Sequence, residues 1–571
     1  MLRSLTAPAS AHYKWTAMFI VTLGMLMATI DSSIVLIAMP SIFRGIGLDP
    51  LQSGNSFYLL WMILGFLVVT SVLVVSLGRL GDMYGRVRIY NAGFAVFTLF
   101  SGALSITWMH GHAAGLWLII MRLFQALGAA MLMANSSAIL TDAFPRHQRG
   151  LAMGVNQAAA FSGTFIGLIV GGLLAPFDWH LVFLVSVPVG VLGTVWGYLA
   201  LRELGERHRA HVDWFGNATF AVGMVLIMVG LTYGIEPYRG HTMGWTSPLV
   251  WGCVGFGVLT MGAFALIERR VRVPMFRLQL FTIRPFSAGI SASFLAALSR
   301  GGLMFMLIIW LQGVWLPLHG MNFERTPLWA GVAMVPLTVG MLISGPLSGY
   351  LSDRFGARPF ASGGMLGTAL CFALLETLPV NFHYWIFAVV LFLTGLSMAA
   401  FGSPNRAGVM NALPAAHRGA GSGMYTTFQN SAQVFSIGLF FTLLIAGLSG
   451  SLSTNLYRGL VAHGVSATAA AHASHLPPIA TLFAAFLGVN PIQHLLGPAA
   501  LDQLSAAQQH ALIGPSFFPT LIGASFRAGL HAALDFAIVA SLLAAAASWV
   551  RGGRDLGPGD VAPAVLEVGA P

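Results

Sequence analysis

Charged residues are scarce in this sequence. They make up 8% of its 571 residues, against about a quarter in ordinary globular proteins, so the chain cannot clothe itself as a soluble domain. Lysine is all but missing: Lys14 stands alone among 28 basic residues, and the other 27 are arginines scattered through short segments. No groove-sized basic patch forms, which excludes nucleic acid as a partner despite a net charge of +10. Cysteine is nearly missing too. Cys253 and Cys371 both lie in apolar segments and offer neither a disulfide framework nor a thiolate metal site. There is no G-x-x-x-x-G-K-[ST] loop for a nucleotide engine. No cofactor and no metal are expected; His463, His472 and His475 lack the i, i+4 spacing of a helical metal site. Near the start there is no short apolar core followed by a cleavage site. Arg3 and Lys14 precede a long first span, which reads as an uncleaved anchor.

What the sequence has in abundance is hydrocarbon. Hydrophobic residues reach 57% and mean hydropathy is +0.80. They fall in runs of about 20 residues, each able to cross roughly 30 Å of bilayer. The pattern predicts an all-α membrane protein with fourteen spans, at 15–40, 57–77, 89–107, 116–140, 150–174, 181–201, 214–235, 249–267, 285–312, 328–351, 360–378, 384–404, 419–447 and 528–550. With residue 1 on the cytoplasmic side, 21 basic residues fall inside, five outside (Arg44, Arg239, Arg325, Arg458, Arg527) and two within spans (Arg122, Arg300). That ratio places both termini in the cytoplasm.

An internal repeat organises the spans. The loop after span 2 reads Gly78-Arg-Leu80-Gly-Asp82-Met-Tyr-Gly85-Arg86-Val-Arg88, and the loop after span 10 reads Gly349-Tyr-Leu351-Ser-Asp353-Arg354-Phe-Gly356-Ala-Arg358. Gly78, Leu80, Asp82 and Gly85 recur at Gly349, Leu351, Asp353 and Gly356, a constant offset of 271 residues. The offset covers eight spans, so six belong to each repeat and spans 7 and 8 are inserted. The expected units are a six-helix bundle in 1–205, an inserted hairpin in 206–270, a second six-helix bundle in 271–551 and a tail in 552–571. The second bundle carries a long external loop, 448–527, whose apolar run 476–489 is too short to span and reads as an interfacial segment.

Several spacings carry chemistry. In span 1, Asp31 lies nine residues before Pro40; in span 4, Arg122 lies six residues after Leu116. At 1.5 Å per residue both sit about 9–13 Å below the outer boundary, so they can meet. A carboxylate this deep costs about 2.5–3.5 kcal/mol on insertion scales and needs a partner or a cavity. Arginine favours its charged form and desolvation opposes it; the bland alternative is a static ion pair. In the span 2–3 loop, Asp82 can meet a helix N-terminus, Arg86 and Arg88 can pair with helix ends and acidic lipid, and Gly78 and Gly85 permit close approach and a tight turn. Span 5 carries Gly154, Gly163, Gly167, Gly171 and Gly172; 163, 167 and 171 form one smooth face for a neighbouring helix. Asp213-Trp214-Phe-Gly216 opens span 7, and Arg269-Arg270 with Pro274 precedes span 9. These two read as a helix start and an anchor.

From Trp15 to Arg551 the chain resembles the major facilitator superfamily, specifically its 14-spanner drug:proton antiporter branch. The span 2–3 loop matches the family signature G-x-L-x-D-x-x-G-R-x-R at every fixed position. Span 1 resembles the family's Asp-to-Pro pattern and span 4 its R-x5-G pattern, through Arg122 and Gly128. Span 5 is similar to the antiporter signature G-x8-G-x3-G-P-x2-G-G, except that Leu168 replaces the proline and removes the expected kink.

The resemblance implies two six-helix bundles with two inserted helices in a bacterial cell membrane, exporting small amphipathic compounds in exchange for protons. It gives Asp31 and Arg122 the proton-coupling role and makes the Asp82 loop and its Asp353–Arg354 copy a conformational lock. It also admits a periplasmic adaptor and outer-membrane channel should the cell be Gram-negative. Gln125, Asn405, Gln429 and Asn430, with Trp61, Trp310 and Gln312, are candidates to line the cavity. Arg300 maps close to the depth of Asp31 across the pseudo-twofold axis. Its possible partners are Asp31, Asp535 and an anionic substrate, and a paired state with one of the two acids is the expectation. The same scaffold could serve a dedicated metabolite or lipid, in either direction. A polytopic enzyme or sensor would need a catalytic cluster or an output domain, and the sequence offers neither.

Overall fold

The computed structural model describes residues 12–551 except positions 50, 51, 53, 146, 147, 205–212, 272, 273, 275, 415–417, 489 and 515. Arg3, the tail 552–571 and the side chain of Asp353 lie outside the described residues. Among the described residues, fourteen helices are long and apolar enough to cross a membrane: α1 (Tyr13–Ile46), α2 (Asn55–Tyr84), α3 (Arg86–Ser105), α4 (Gly111–Ala143), α5 (Ala152–Leu174), α6 (Leu181–Ala200), α7 (Trp214–Gly234), α8 (Pro248–Arg270), α9 (Arg284–Leu318), α10 (Thr326–Ser352), α11 (Ala357–Thr377), α12 (Tyr384–Asn411), α13 (Gly421–Ser449) and α14 (Phe517–Val550). All fourteen expected spans are present. Backbone donors in hydrocarbon must be satisfied within the helix, so several elements outrun their hydrophobic cores. The first runs through Pro40 to Ile46 and stops only at Gly47, whose φ of 69° closes a left-handed cap.

Small residues set the packing within the first bundle. A Cβ on Gly163 would come 3.0 Å from the Leu26 carbonyl oxygen, and side chains on Gly167 and Gly171 would collide with Ile30 and Ile34. The glycine face of α5 therefore lies directly on α1, as its spacing predicted. The bundles meet along two related seams, α2 against α13 and α5 against α10. The inserted α7 packs over the first seam, touching α2 and α13, whereas α8 touches mainly α7 and stays largely exposed. Two faces follow: a signature face carrying Asp82, and a far face carrying the long loop.

The long loop corrects one expectation. Its apolar segment is not interfacial. Helix Pro478–Leu487 is buried over its whole length and contacts α1 and α2 of one bundle and α9 and α13 of the other. Ala485 lies against Gly313 of α9, and Phe486 packs 5.6 Å from Phe305. The physical reason is compositional. An interfacial helix needs a polar face, and Thr481, the one polar side chain here, satisfies itself on the Pro477 carbonyl. A helix apolar all round is buried.

Candidate functional site

α1 and α4 bring Asp31 and Arg122 together inside the first bundle, at 0% and 2% exposure. Arg122 Nη1 donates to Asp31 Oδ2 and, at 2.7 Å, to Gln125 Oε1. The Gln125 amide donates to Asp31 Oδ1 at 2.8 Å and to Ser101 Oγ of α3 at 2.7 Å. The arginine also lies over the Phe66 ring, 4.4 Å from its centroid. Both carboxylate oxygens are thus held, one by a charged donor and one by an amide. Removing one member of such a buried pair costs about 3–5 kcal/mol. Depth arithmetic found Asp31 and Arg122; Gln125, expected in the cavity wall, instead joins the pair, and Ser101 and Phe66 were missed because they come from helices whose azimuth the sequence does not reveal.

The signature loop is tied by a different set of bonds than expected. Asp82 does not cap a helix. It pairs with Arg86 at 2.8 Å, while Arg86 grips Asp142 at the end of α4 through Nη1 at 2.7 and 2.9 Å. The N-terminus of α3 is capped instead by Glu203, which accepts from the Arg86 and Val87 amides at 3.0 and 3.1 Å. Gly85 adopts φ 114°, as a tight turn requires. Gly78 is not a close-approach site, since a Cβ there would meet nothing nearer than 3.9 Å; the crowded position is Gly81, against Asn135. Arg88 is exposed and without a bonded partner among the described residues. In the second copy Gly356 repeats the positive φ at 85°, and Arg354 is exposed. Asp142 and Glu203 were missed because they lie 56 and 117 residues from Arg86.

The antiporter-type glycines divide. Gly163, Gly167 and Gly171 hold α1, whereas Gly172 abuts the Leu328 backbone of α10 across the bundle seam. Gly154 faces open space, so close packing does not explain it. Leu168 is fully buried, with its backbone 3.0 Å from where a Cβ on Gly331 would sit. At the first inserted helix, Asp213 caps α7 by accepting from the Gly216 amide at 2.8 Å, the expected helix start.

The remaining candidates scatter. Trp310 is fixed at the far end of α9, donating to the Val380 carbonyl at 3.1 Å and packed by Phe382 and Phe387. Asn405 donates to Gly289 at 3.0 Å and receives Arg551 at 3.3 Å. Both are structural posts rather than cavity walls. Gln312 is fully buried in a π-helical turn (Trp310–Trp315), and neither of its amide atoms has a partner among the described residues. Such turns recur at functional sites. Trp61 is half-buried, its indole N–H without a partner among the described residues; Gln429 and Asn430 are half-buried on α13. Arg300 forms no ion pair among the described residues. Asp31 is taken by Arg122, and Asp535 is exposed on α14. The expected pairing is absent because α9 turns Arg300 toward α11 and α12, where a crevice is lined by Met365, Thr368, Met398 and Phe401. At the far face, Ser56 donates to Glu236, and burial raises that carboxyl above its ordinary range.

Two six-helix bundles, one of them enclosing a buried ion pair, define a membrane transporter scaffold. The sequence profile of the Major Facilitator Superfamily matches residues 21–437, and this chain belongs to that family. It is 30% identical over 444 residues to the methyl viologen resistance protein SmvA of Salmonella typhimurium, covering 77% of this chain and 84% of the relative. It is 30% identical over 389 residues to the tetracenomycin C resistance and export protein of Streptomyces glaucescens, 67% of each. It is 27% identical over 434 residues to the riboflavin transporter RibZ of Clostridioides difficile, 75% of this chain and 87% of the relative. Among solved structures, a bacterial homolog of the human lysosomal transporter Spinster, inward-facing and unoccupied, matches with a TM-score of 0.56 at 16% identity, covering 95% of this chain and 98% of that one. That likeness concerns fold.

Proposed function

We propose that this chain exports small amphipathic compounds from a bacterial cell in exchange for protons, by rocking its two bundles alternately about a midplane site. The observation that carries the reading is the Asp31–Arg122–Gln125–Ser101 network: a wholly buried carboxylate whose pairing one proton can make or break. A proton entering down 100 mV supplies about 2.3 kcal/mol. Asp31 and Arg122 are the coupling pair, and the Arg86-centred bonds hold the signature face, which the arginine bias assigns to the cytoplasm together with both termini. Resistance and export appear in the names of two relatives. In a Gram-negative cell the far face would hand substrate to a periplasmic adaptor and an outer-membrane channel.

A second reading, transport of a dedicated metabolite, is favoured by the riboflavin transporter among the relatives. Reconstitution into liposomes with an imposed pH gradient separates the two. Screening cationic, neutral and anionic amphiphiles should give gradient-driven counterflow of several unrelated compounds. Counterflow of one metabolite alone would support the second reading, and transport indifferent to the gradient would end the proton-coupled one.

A further inference from the structure

Each bundle places one charged residue on its first helix at a comparable depth, and the two bundles treat it differently. In the first bundle the group is Asp31 on α1, answered by Arg122 and Gln125 from α4 and by Ser101 from α3. In the second bundle the group is Arg300 on α9. It lies against a narrow crevice lined by Met365 and Thr368 of α11 and by Met398 and Phe401 of α12, with Ser299 beside it. These are the corresponding first, third and fourth helices of the second repeat. The position of the carboxylate is vacant: no acidic side chain pairs with Arg300 among the described residues, and the titratable group acting on it is the Tyr425 phenol. Its guanidinium makes no hydrogen bond there either, so its five donors have no protein acceptor in a narrow, mostly apolar crevice that is closed even to water as it stands.

The backbone fixes this arrangement. Gly301 and Gly302 abut Gln433 and Phe440 of α13, and the Gly302 amide donates to Ser436 Oγ at 2.9 Å. Ser436 in turn donates to the Leu298 carbonyl at 2.5 Å. These contacts lock α9 immediately beside Arg300, so the arginine cannot swing across the seam to share Asp31. An arginine held in a membrane interior without a protein counter-charge needs one from elsewhere.

We propose that the Arg300 crevice is an anion-binding site, taking a compact monovalent group, a substrate carboxylate or a halide, in the place that Asp31 fills in the first bundle. The carboxylate source rests on the export reading above; the halide source does not. Arg300 supplies the charge and the free donors, since the Ser299 and Thr368 hydroxyls already donate to the Ala296 and Gly364 carbonyls; Met398 and Phe401 would face the apolar body of an amphiphile once the closed crevice widens.

The test uses the full chain in phosphatidylcholine nanodiscs, titrated calorimetrically with three probes of one shape: 2-naphthoate, 2-naphthamide and 2-naphthylmethylammonium. Chloride against gluconate forms a separate arm, read by thermal unfolding. The expected result is naphthoate binding at least tenfold tighter than the amide, or stabilisation by chloride. Either effect should be lost in Arg300→Gln, largely kept in Arg300→Lys, and unchanged in Arg239→Gln, which removes an exposed charge. Naphthoate selectivity identifies a substrate acid as the source; chloride stabilisation without it identifies the halide. Met398→Glu, which rebuilds a carboxylate in the crevice, should abolish both and keeps the test open if Arg300→Gln fails to fold. Anion binding that survives both Arg300→Gln and Met398→Glu, or no anion effect on the wild type, overturns the proposal. Pumping of 2-naphthamide in liposomes is read separately, so failed proton coupling cannot be confused with a failed site.

Discussion

Gly85 and Gly356 stand 271 residues apart and hold the same unusual backbone, φ 114° with ψ 125° and φ 85° with ψ 154°. Each precedes the first residue of a spanning helix, at the same point of the two repeats. Glycine alone occupies this region without strain. Gly85→Ala and Gly356→Ala should therefore each lose about 1–3 kcal/mol, seen as lower melting temperatures in detergent. Gly154→Ala, where nothing lies within 4 Å, is the control. Equal melting of all three would show that neither turn is specified by its glycine.

Asp31 and Arg122 predict a non-additive pair. Asp31→Asn should abolish gradient-driven transport while the protein still inserts and folds. Arg122→Gln strands a buried carboxylate and should cost about 3–5 kcal/mol. The double variant should recover most of that stability but no coupling. Melting curves and a pH-gradient flux assay read the two effects separately, and normal coupling in Asp31→Asn removes it from the transport mechanism.

Arg86 holds two carboxylates unequally. Asp142 takes Nη1 on both oxygens and Asp82 takes Nε and Nη2 on one, but Asp82 is the more exposed partner, at 40% against 23%. Asp142→Asn should cut turnover more than Asp82→Asn, and neither should change ligand affinity, since the loop lies about half a membrane from the midplane. Weaker ligand binding with unchanged turnover would rule out a locking role.

How far the sequence reached differs between elements for physical reasons. Spans were legible because each must fill a bilayer, and Asp31 with Arg122 because rise per residue converts sequence into depth. Depth is not azimuth. Trp310 and Asn405 read as cavity candidates by residue type alone, yet each is satisfied by a backbone carbonyl of a neighbouring element, Val380 or Gly289. Arg300 fails for the same reason: its level was readable, but not the side of α9 from which it projects. The loop helix was misassigned by length, although its lack of a polar face carried the correct signal.

Glu236 gives a pH dependence at the far face. Burial raises its carboxyl above the ordinary value of 4.5, against the bond from Ser56. Its folded state therefore favours the proton, so stability is fully present below the unfolded value and falls as pH rises through the folded one. Glu236→Gln should melt higher than wild type at pH 8, and the difference should close toward pH 4.5. A difference that does not vary with pH would mean the carboxyl titrates normally.

The loop helix gives the most direct test of the fold. All ten residues of Pro478–Leu487 are buried between elements of both bundles, whereas Ala507 in the same loop is exposed. In a chain with Cys253 and Cys371 replaced, single cysteines at positions 240 and 507 should react with a membrane-impermeant maleimide added outside intact cells. A cysteine at 484 should not, and one at 354 should react only after permeabilisation. Rapid labelling at 484 would return the segment to the membrane surface. Labelling at 354 from outside would invert the arginine-based orientation and leave the helix packing intact, so the two assignments fall independently.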